Sequence, residues 1–137
     1  MIELVKQFGD VQEVLYDKKN RIVVKEVVCI KAPHEKESGR WYMQVSDLDE
    51  FEDVVKSIHA HFGVQLDADV VELKMPYRYK RFQLPVVGEN GNLLTCYDVK
   101  NNAVLDVELS CTVSMTSGVC LVWKVHKIKI HEERYEC

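Results

Sequence analysis

Four bases and three aromatics interleave within nine residues, Lys74-Met75-Pro76-Tyr77-Arg78-Tyr79-Lys80-Arg81-Phe82. Single-stranded nucleic acid calls for this combination, with cations to follow the phosphates and flat rings to stack on exposed bases. Arginine can serve both ends, because its guanidinium is planar as well as charged. Read as one extended segment, alternation sets Tyr77, Tyr79 and Arg81 on one side and Arg78, Lys80 and Phe82 on the other. One face cannot use them all. The competing reading is an amphipathic edge segment whose rings pack while its bases stay solvated.

Two further places supply the same residue types. Trp41 and Tyr42 are adjacent on a strand pattern, so they point to opposite faces and one of them is expected to be exposed. The stretch Trp123-Lys124-Val125-His126-Lys127-Ile128-Lys129-Ile130 has Leu121, Trp123 and Val125 on one face, then Ile128 and Ile130 in the other parity. That change of parity predicts a bulge near His126 or Lys127, after which Lys127 and Lys129 point outward. The plainer reading of Trp123 is core.

Catalytic signals are poor. His59 and His61 diverge by about 200° on a helix, too far to share a metal. His126 and His131 have no Cys or Asp at zinc spacing. No nucleophile elbow, phosphate-cradling glycine loop or carboxylate–histidine cluster is present. The expectation is a binding protein with no enzymatic activity, no metal and no cofactor.

The elements that must position these groups are mostly strands. Residues 21–30 are rich in β-branched side chains, 33–39 form a polar loop, and 40–46 alternate and pair with the first strand as a hairpin. Ser46 then caps a helix over 47–62, with acids in its first turn. Its apolar residues Leu48, Phe51, Val54, Val55, Ile58 and Phe62 recur at three- and four-residue steps, and Gly63 ends it. Strand patterns return at 70–73, 81–87, 93–99, 104–115 and 119–130, with Asn90-Gly91 as a strong hairpin signal. The tail 131–137 is charged and expected to fray. One helix cannot cover both faces of such a sheet. The expected fold is therefore mainly β, an OB-like small β-barrel of one domain with the amphipathic helix plugging one end.

Composition sets the bounds. The 137 residues are 47% hydrophobic and 29% charged, in the ordinary globular range. No apolar run approaches the roughly 18 residues of a membrane span, and Met1-Ile2-Glu3-Leu4-Val5-Lys6 does not look like a signal peptide. Five cysteines without metal or redox spacing read as four small core residues and a terminal bystander in a reducing, intracellular setting. The net charge of −4 conceals a division. Residues 47–72 hold eight acids and one base, a sum of −7, whereas 73–130 hold eight bases and four acids, a sum of +4. Net charge therefore does not exclude a polyanion partner.

The C-terminal half, with a long strand from Leu105, a Ser/Gly turn at 115–118 and then V-C-L-V-W-K-V-H-K-I-K-I, resembles the closing hairpin of OB-fold single-stranded-DNA-binding proteins of large DNA viruses and phages. The resemblance covers about 60 residues and extends to Tyr77, Arg78, Tyr79, Lys80, Arg81, Trp123, Lys124 and Lys127. It implies sequence-tolerant binding of single strands during replication or recombination. Lys74, Trp41, Tyr42 and Lys129 join these as expected contacts to single-stranded DNA, with a homo-oligomer as a further expected partner state. The acidic stretch 47–62 would lie away from the bound strand. The alternative is a viral structural or protein-interaction module whose 74–82 segment docks an acidic protein.

Overall fold

The structure is a computed structural model that describes residues 4–8, 11–14, 22–46, 70–114 and 120–135, and, between 46 and 70, residues 52, 55, 56, 59, 60, 63 and 64. For 4–8, 11–14, 22, 113–114 and 132–135 only the backbone is described.

The chain opens with a short hairpin, β1 (Leu4–Phe8) and β2 (Val11–Val14), which extends the sheet beside a later strand. β3 (Ile22–Glu37) and β4 (Arg40–Ser46) form the expected hairpin. β3 is longer than expected, because 33–37 continue as strand and only Ser38 and Gly39 turn. The polar composition of 33–39 reflects exposure rather than loop backbone. Then come β5 (Val70–Met75), a small hairpin of β6 (Tyr77–Arg78) and β7 (Arg81–Phe82), and a second one of β8 (Val86–Gly88) and β9 (Leu93–Leu94). A 3-10 turn at Cys96–Asp98 replaces the rest of the strand expected at 93–99. Two long strands, β10 (Ala103–Ser114) and β11 (Cys120–Tyr135), complete the chain. β11 reaches five residues into the tail expected to fray.

β3, β4, β5, β11 and β10 close on one another in that order, with β10 pairing back to β3. Numbered along the chain, these five barrel strands run 1-2-3-5-4-1. All contacts are antiparallel except the third to the fifth, β5 to β11, which is parallel. This is an OB-like barrel, and closure removes the free edges that its central strands would otherwise expose.

Alternation builds the interior. Met43 and Val45 of β4, Val71, Leu73 and Met75 of β5, Leu105, Val107, Leu109 and Cys111 of β10, and Trp123 and Val125 of β11 all point into one core. Two bulges adjust it. In β3 the parity moves from Val24 to Val27 around Glu26, whose φ is +57. In β11, Glu108 pairs Lys127 but Leu109 pairs Val125, leaving His126 as the extra residue and moving the buried set to Ile128 and Ile130.

The amphipathic helix expected over 47–62 is not seen as a delimited element. Glu52, Val55, Lys56, His59 and Ala60 have helical backbone, and the remaining residues of that span, with most of its apolar stripe, lie outside those described. Val55 is fully buried in the barrel core, and the His59 ring stacks parallel to Trp123 at 6.5 Å. Cys29, Cys96 and Cys111 are buried, and burial pushes their thiols up to about 12. Cys120, expected in the core, is exposed, because it opens β11 at the barrel's rim.

Candidate nucleic-acid interface

The candidate interface lies where β11 changes partner. Its residues Trp123 and Lys124 pair in parallel with Leu73 and Lys74 of β5, whereas Ile128, Lys129 and Ile130 pair with β8. Between these two registers the chain leaves the barrel at Pro76 and returns at Pro85. Neither proline can donate to a ladder, so each ends pairing at its position. The Pro85 carbonyl still accepts from the Ile128 amide at 3.1 Å, which ties the return to the bulged part of β11.

The excursion between the two prolines is the β6–β7 hairpin. Tyr77 pairs with Phe82 and Arg78 with Arg81, so Tyr79 and Lys80 alone form the turn. The segment 74–82 is therefore folded back on itself, and the two faces expected from simple alternation do not apply beyond Arg78. Both turn residues have positive φ, +54 and +63, as a type I′ turn requires. Asn-Gly adopts that conformation readily, whereas a tyrosine and a lysine pay about 1–2 kcal/mol each for it. Gln83 braces the hairpin. Its backbone amide donates to the Pro76 carbonyl at 2.7 Å, and its side-chain amide donates to the carbonyls of Arg78 and Arg81 at 3.0 and 3.2 Å. The strained tip is thus held out from the barrel, with Tyr79 86% exposed.

Beside the hairpin lies a cleft of about 830 Å³. Four cations line it, Arg40, Lys74, Arg78 and Lys124, together with Tyr77 and His126, and among the described residues no Asp or Glu does. Its remaining surface comes from Gly39, Met75, Pro76, Gln83 and Val125. Lys74 and Lys124 are register partners on adjacent strands. Like charges placed directly opposite destabilise a sheet, and no carboxylate among the described residues pairs with either. Arg40 does have a partner, Glu37 at 3.2 Å, in a solvated i,i+3 pair that contributes little. His126 is hydrogen bonded through Nε2 to Ser110 Oγ at 2.6 Å, which fixes the bulged residue against the cleft wall.

The other expected site residues are placed as follows. Trp41 is half-buried, its ring 5.5 Å from Tyr77 and 5.1 Å from Phe82, so it supports the hairpin from below. Tyr42 lies opposite Lys74 on the outward face of β4, and the Lys36 ammonium sits 5.0 Å from its ring centroid while bridging to Glu72 at 3.1 Å. Lys80 and Arg81 stand on the far flank of the hairpin, away from the cleft. Trp123 is only 4% exposed and its Nε1 donates to His59 Nε2 at 3.3 Å, so it is a core residue and offers no stacking face. Lys127 and Lys129 do not reach the cleft. They lie opposite Glu108 and Asp106 on the β10–β11 wall, near Val23, where nearby acids offset them.

Arg40, Gln83 and His126 belong to the cleft but were not expected there. Arg40 adjoins the aromatic pair in sequence, and the parity change already pointed to His126. Nothing in the local sequence marks Gln83 as the brace. Among the described residues no group of His, Cys, Asp and Glu could hold a metal ion, and no helix is long and apolar enough to cross a membrane.

No protein family matches the sequence, and no curated protein matches it. Among solved structures, the chain is similar to the single-stranded DNA-binding protein from bacteriophage Enc34 in a C-terminally truncated form. The TM-score is 0.58, and the match covers 98% of this chain and 98% of that one at 11% identity. At that identity the likeness establishes a shared fold.

Proposed function

We propose that this chain is a non-enzymatic, sequence-tolerant single-stranded-DNA-binding protein that serves DNA replication or recombination, as in a phage or other DNA virus. The observation that carries the reading is the Lys74–Lys124 pair, two cations set side by side in a cleft that no acid lines among the described residues. The cations of the cleft follow the phosphates, while Tyr77 and the exposed Tyr79 receive bases. The location supports this reading. The cleft uses the second and third barrel strands and the turn before them, the surface on which OB barrels take up oligonucleotides. The fold shared with a phage single-stranded DNA-binding protein supports it as well.

Stacking separates a single strand from an acidic protein segment, which the same cations could attract. Trp41 reports on it, because its ring touches Tyr77. Oligothymidine is expected to change Trp41 fluorescence, measured in a variant with Trp123 replaced by Phe, whereas duplex and polyphosphate change it far less. Replacing Tyr77 and Tyr79 together by Ala weakens oligothymidine binding by roughly 5- to 150-fold for each base that loses its platform. Unchanged affinity in that double variant refutes the proposal.

A further inference from the structure

The β6–β7 hairpin has two flanks, and the Lys74–Lys124 cleft uses only one. Against the other flank lies a depression of about 270 Å³, lined by Lys80, Arg81, Phe82, Leu94 and Tyr97 among others, with no acid among the described lining residues. Tyr97 is 64% exposed. Its ring meets Phe82 edge-on at 5.8 Å, and Phe82 meets Tyr77 at 5.1 Å. The three rings therefore lead from the first cleft, beneath the hairpin, to the second depression.

Tyr97 is also held in place. It is the middle residue of the 3-10 turn, whose start is closed by a capping box. The Tyr97 amide donates to Thr95 Oγ1 at 3.3 Å, and the Thr95 amide donates to Asp98 Oδ2 at 2.7 Å. Cys96 and Val99 on either side are buried and anchor the turn in the core. An exposed ring on a fixed turn gives a large contact area at small entropic cost. Asp98, the acid of this turn, spends its carboxylate on Thr95.

We infer that this depression is a second base-stacking subsite for the same polynucleotide, with Tyr97 as its platform and Lys80 and Arg81 taking the phosphates where the strand crosses the hairpin. The inference rests on the single-strand reading and lengthens its footprint. A strand confined to the first cleft does not reach Tyr97, whereas one that passes over Tyr79 does.

The test compares labelled oligothymidines of about 4 and about 12 nucleotides, lengths within the range a single OB barrel occupies. Each is titrated by fluorescence anisotropy against the whole chain and its Tyr97→Ala, Tyr97→Phe and Tyr97→Trp variants. Tyr97→Ala is expected to lose roughly 5- to 150-fold in affinity for the longer strand and little for the shorter one. The Phe and Trp variants retain the longer-strand affinity, because they keep the stacking face. The subsite is refuted if Tyr97→Ala binds both lengths like the parent, or loses both equally. If Tyr77→Ala with Tyr79→Ala still weakens binding in that case, the first cleft stands and only the second subsite falls. If the parent chain binds neither length, both fall together.

Discussion

Replacing Tyr79-Lys80 by Asn-Gly should move stability and binding in opposite directions. Both residues occupy positive φ, and each carries a Cβ that this conformation penalises by about 1–2 kcal/mol. Asn tolerates the left-handed region and Gly is free of the penalty, although Gly returns about 0.4–1 kcal/mol through the greater freedom of the unfolded chain. The balance is a gain of about 1–2 kcal/mol, which in a chain of this size raises Tm by several degrees. The two carbonyls that Gln83 holds belong to Arg78 and Arg81, outside the substitution, so the brace survives it. Binding moves the other way. The variant lacks one exposed ring, a loss of about 1–3 kcal/mol of stacking, and one cation, which lowers the salt slope by about 0.7 for a single strand. Denaturant melts and anisotropy titrations at several salt concentrations measure both. A variant that is less stable than the parent shows that the tip is not strained. A variant that binds oligothymidine as tightly as the parent shows that the tip does not touch the strand.

Three further outcomes follow from the placement of the charges and thiols. Lys74→Gln with Lys124→Gln should lower the salt slope of oligonucleotide binding by about 1.4 and raise stability at low salt by about 0.2–1 kcal/mol, whereas Lys127→Gln with Lys129→Gln leaves the slope unchanged; equal slopes for the two pairs would mean the wrong wall has been assigned. Burial pushes the Asp106 carboxyl up, but hydrogen bonds from His131 Nε2 at 2.8 Å and the Glu26 amide at 2.9 Å, with the charges of His131 and Lys129, hold it below the ordinary value of 3.8. That stabilisation is complete above the ordinary value and is lost as pH falls through the lowered one, so Asp106→Asn should cost about 1.5–3 kcal/mol near neutrality and the gap in denaturant melts should close in acid. In a Cys137→Ser background the native chain should expose one thiol to a disulfide reagent, Cys120, with Cys29, Cys96 and Cys111 reacting only on unfolding.

Much of the barrel can be read from residue types alone. The β-branched run at 21–30 and the alternation at 40–46 define the first hairpin, because period-two patterning against one core admits few other pairings. The bulge at His126 is visible as the break between Val125 and Ile128, since a wall strand must turn its apolar face inward on both sides of it. The core role of Trp123 shares that logic, as it has the parity of Leu121 and Val125. Other features were hidden for identifiable reasons. Tyr79 and Lys80 carry no turn signal, so 74–82 reads as one extended segment although it folds back at its middle. The 3-10 turn at Cys96–Asp98 looks like strand by hydrophobicity, and only the Thr95 to Asp98 spacing of a capping box betrays it. The 33–37 stretch looks like loop because an exposed strand end is as polar as one. Which lysines share a surface depends on where β11 exchanges β5 for β8, a non-local event that leaves no local trace.

Two features that sequence rules would disfavour occur at the same place. Several other charges of the described surface are matched: Lys36 with Glu72, Lys127 opposite Glu108, Lys129 opposite Asp106, and His131 with Asp106. In the cleft two lysines adjoin in register with no acid among the described residues to separate them, and at its rim a turn that glycine would fit carries a tyrosine and a lysine. Each lowers the stability of the free chain, and each presents a group that a polyanion with exposed bases can use. Conflict between local preference and global fold is expected where selection acts on something other than folding. Here two such conflicts meet at the cleft, in the Lys74–Lys124 pair of the β5–β11 ladder and in the hairpin between Pro76 and Pro85. Their placement explains why the barrel tolerates them. The prolines end the ladder on either side of the hairpin, so its strained turn sits outside the hydrogen-bonded wall, while the Lys74–Lys124 repulsion acts on the outward face of the β5–β11 ladder, where a ligand can relieve it without reopening the core.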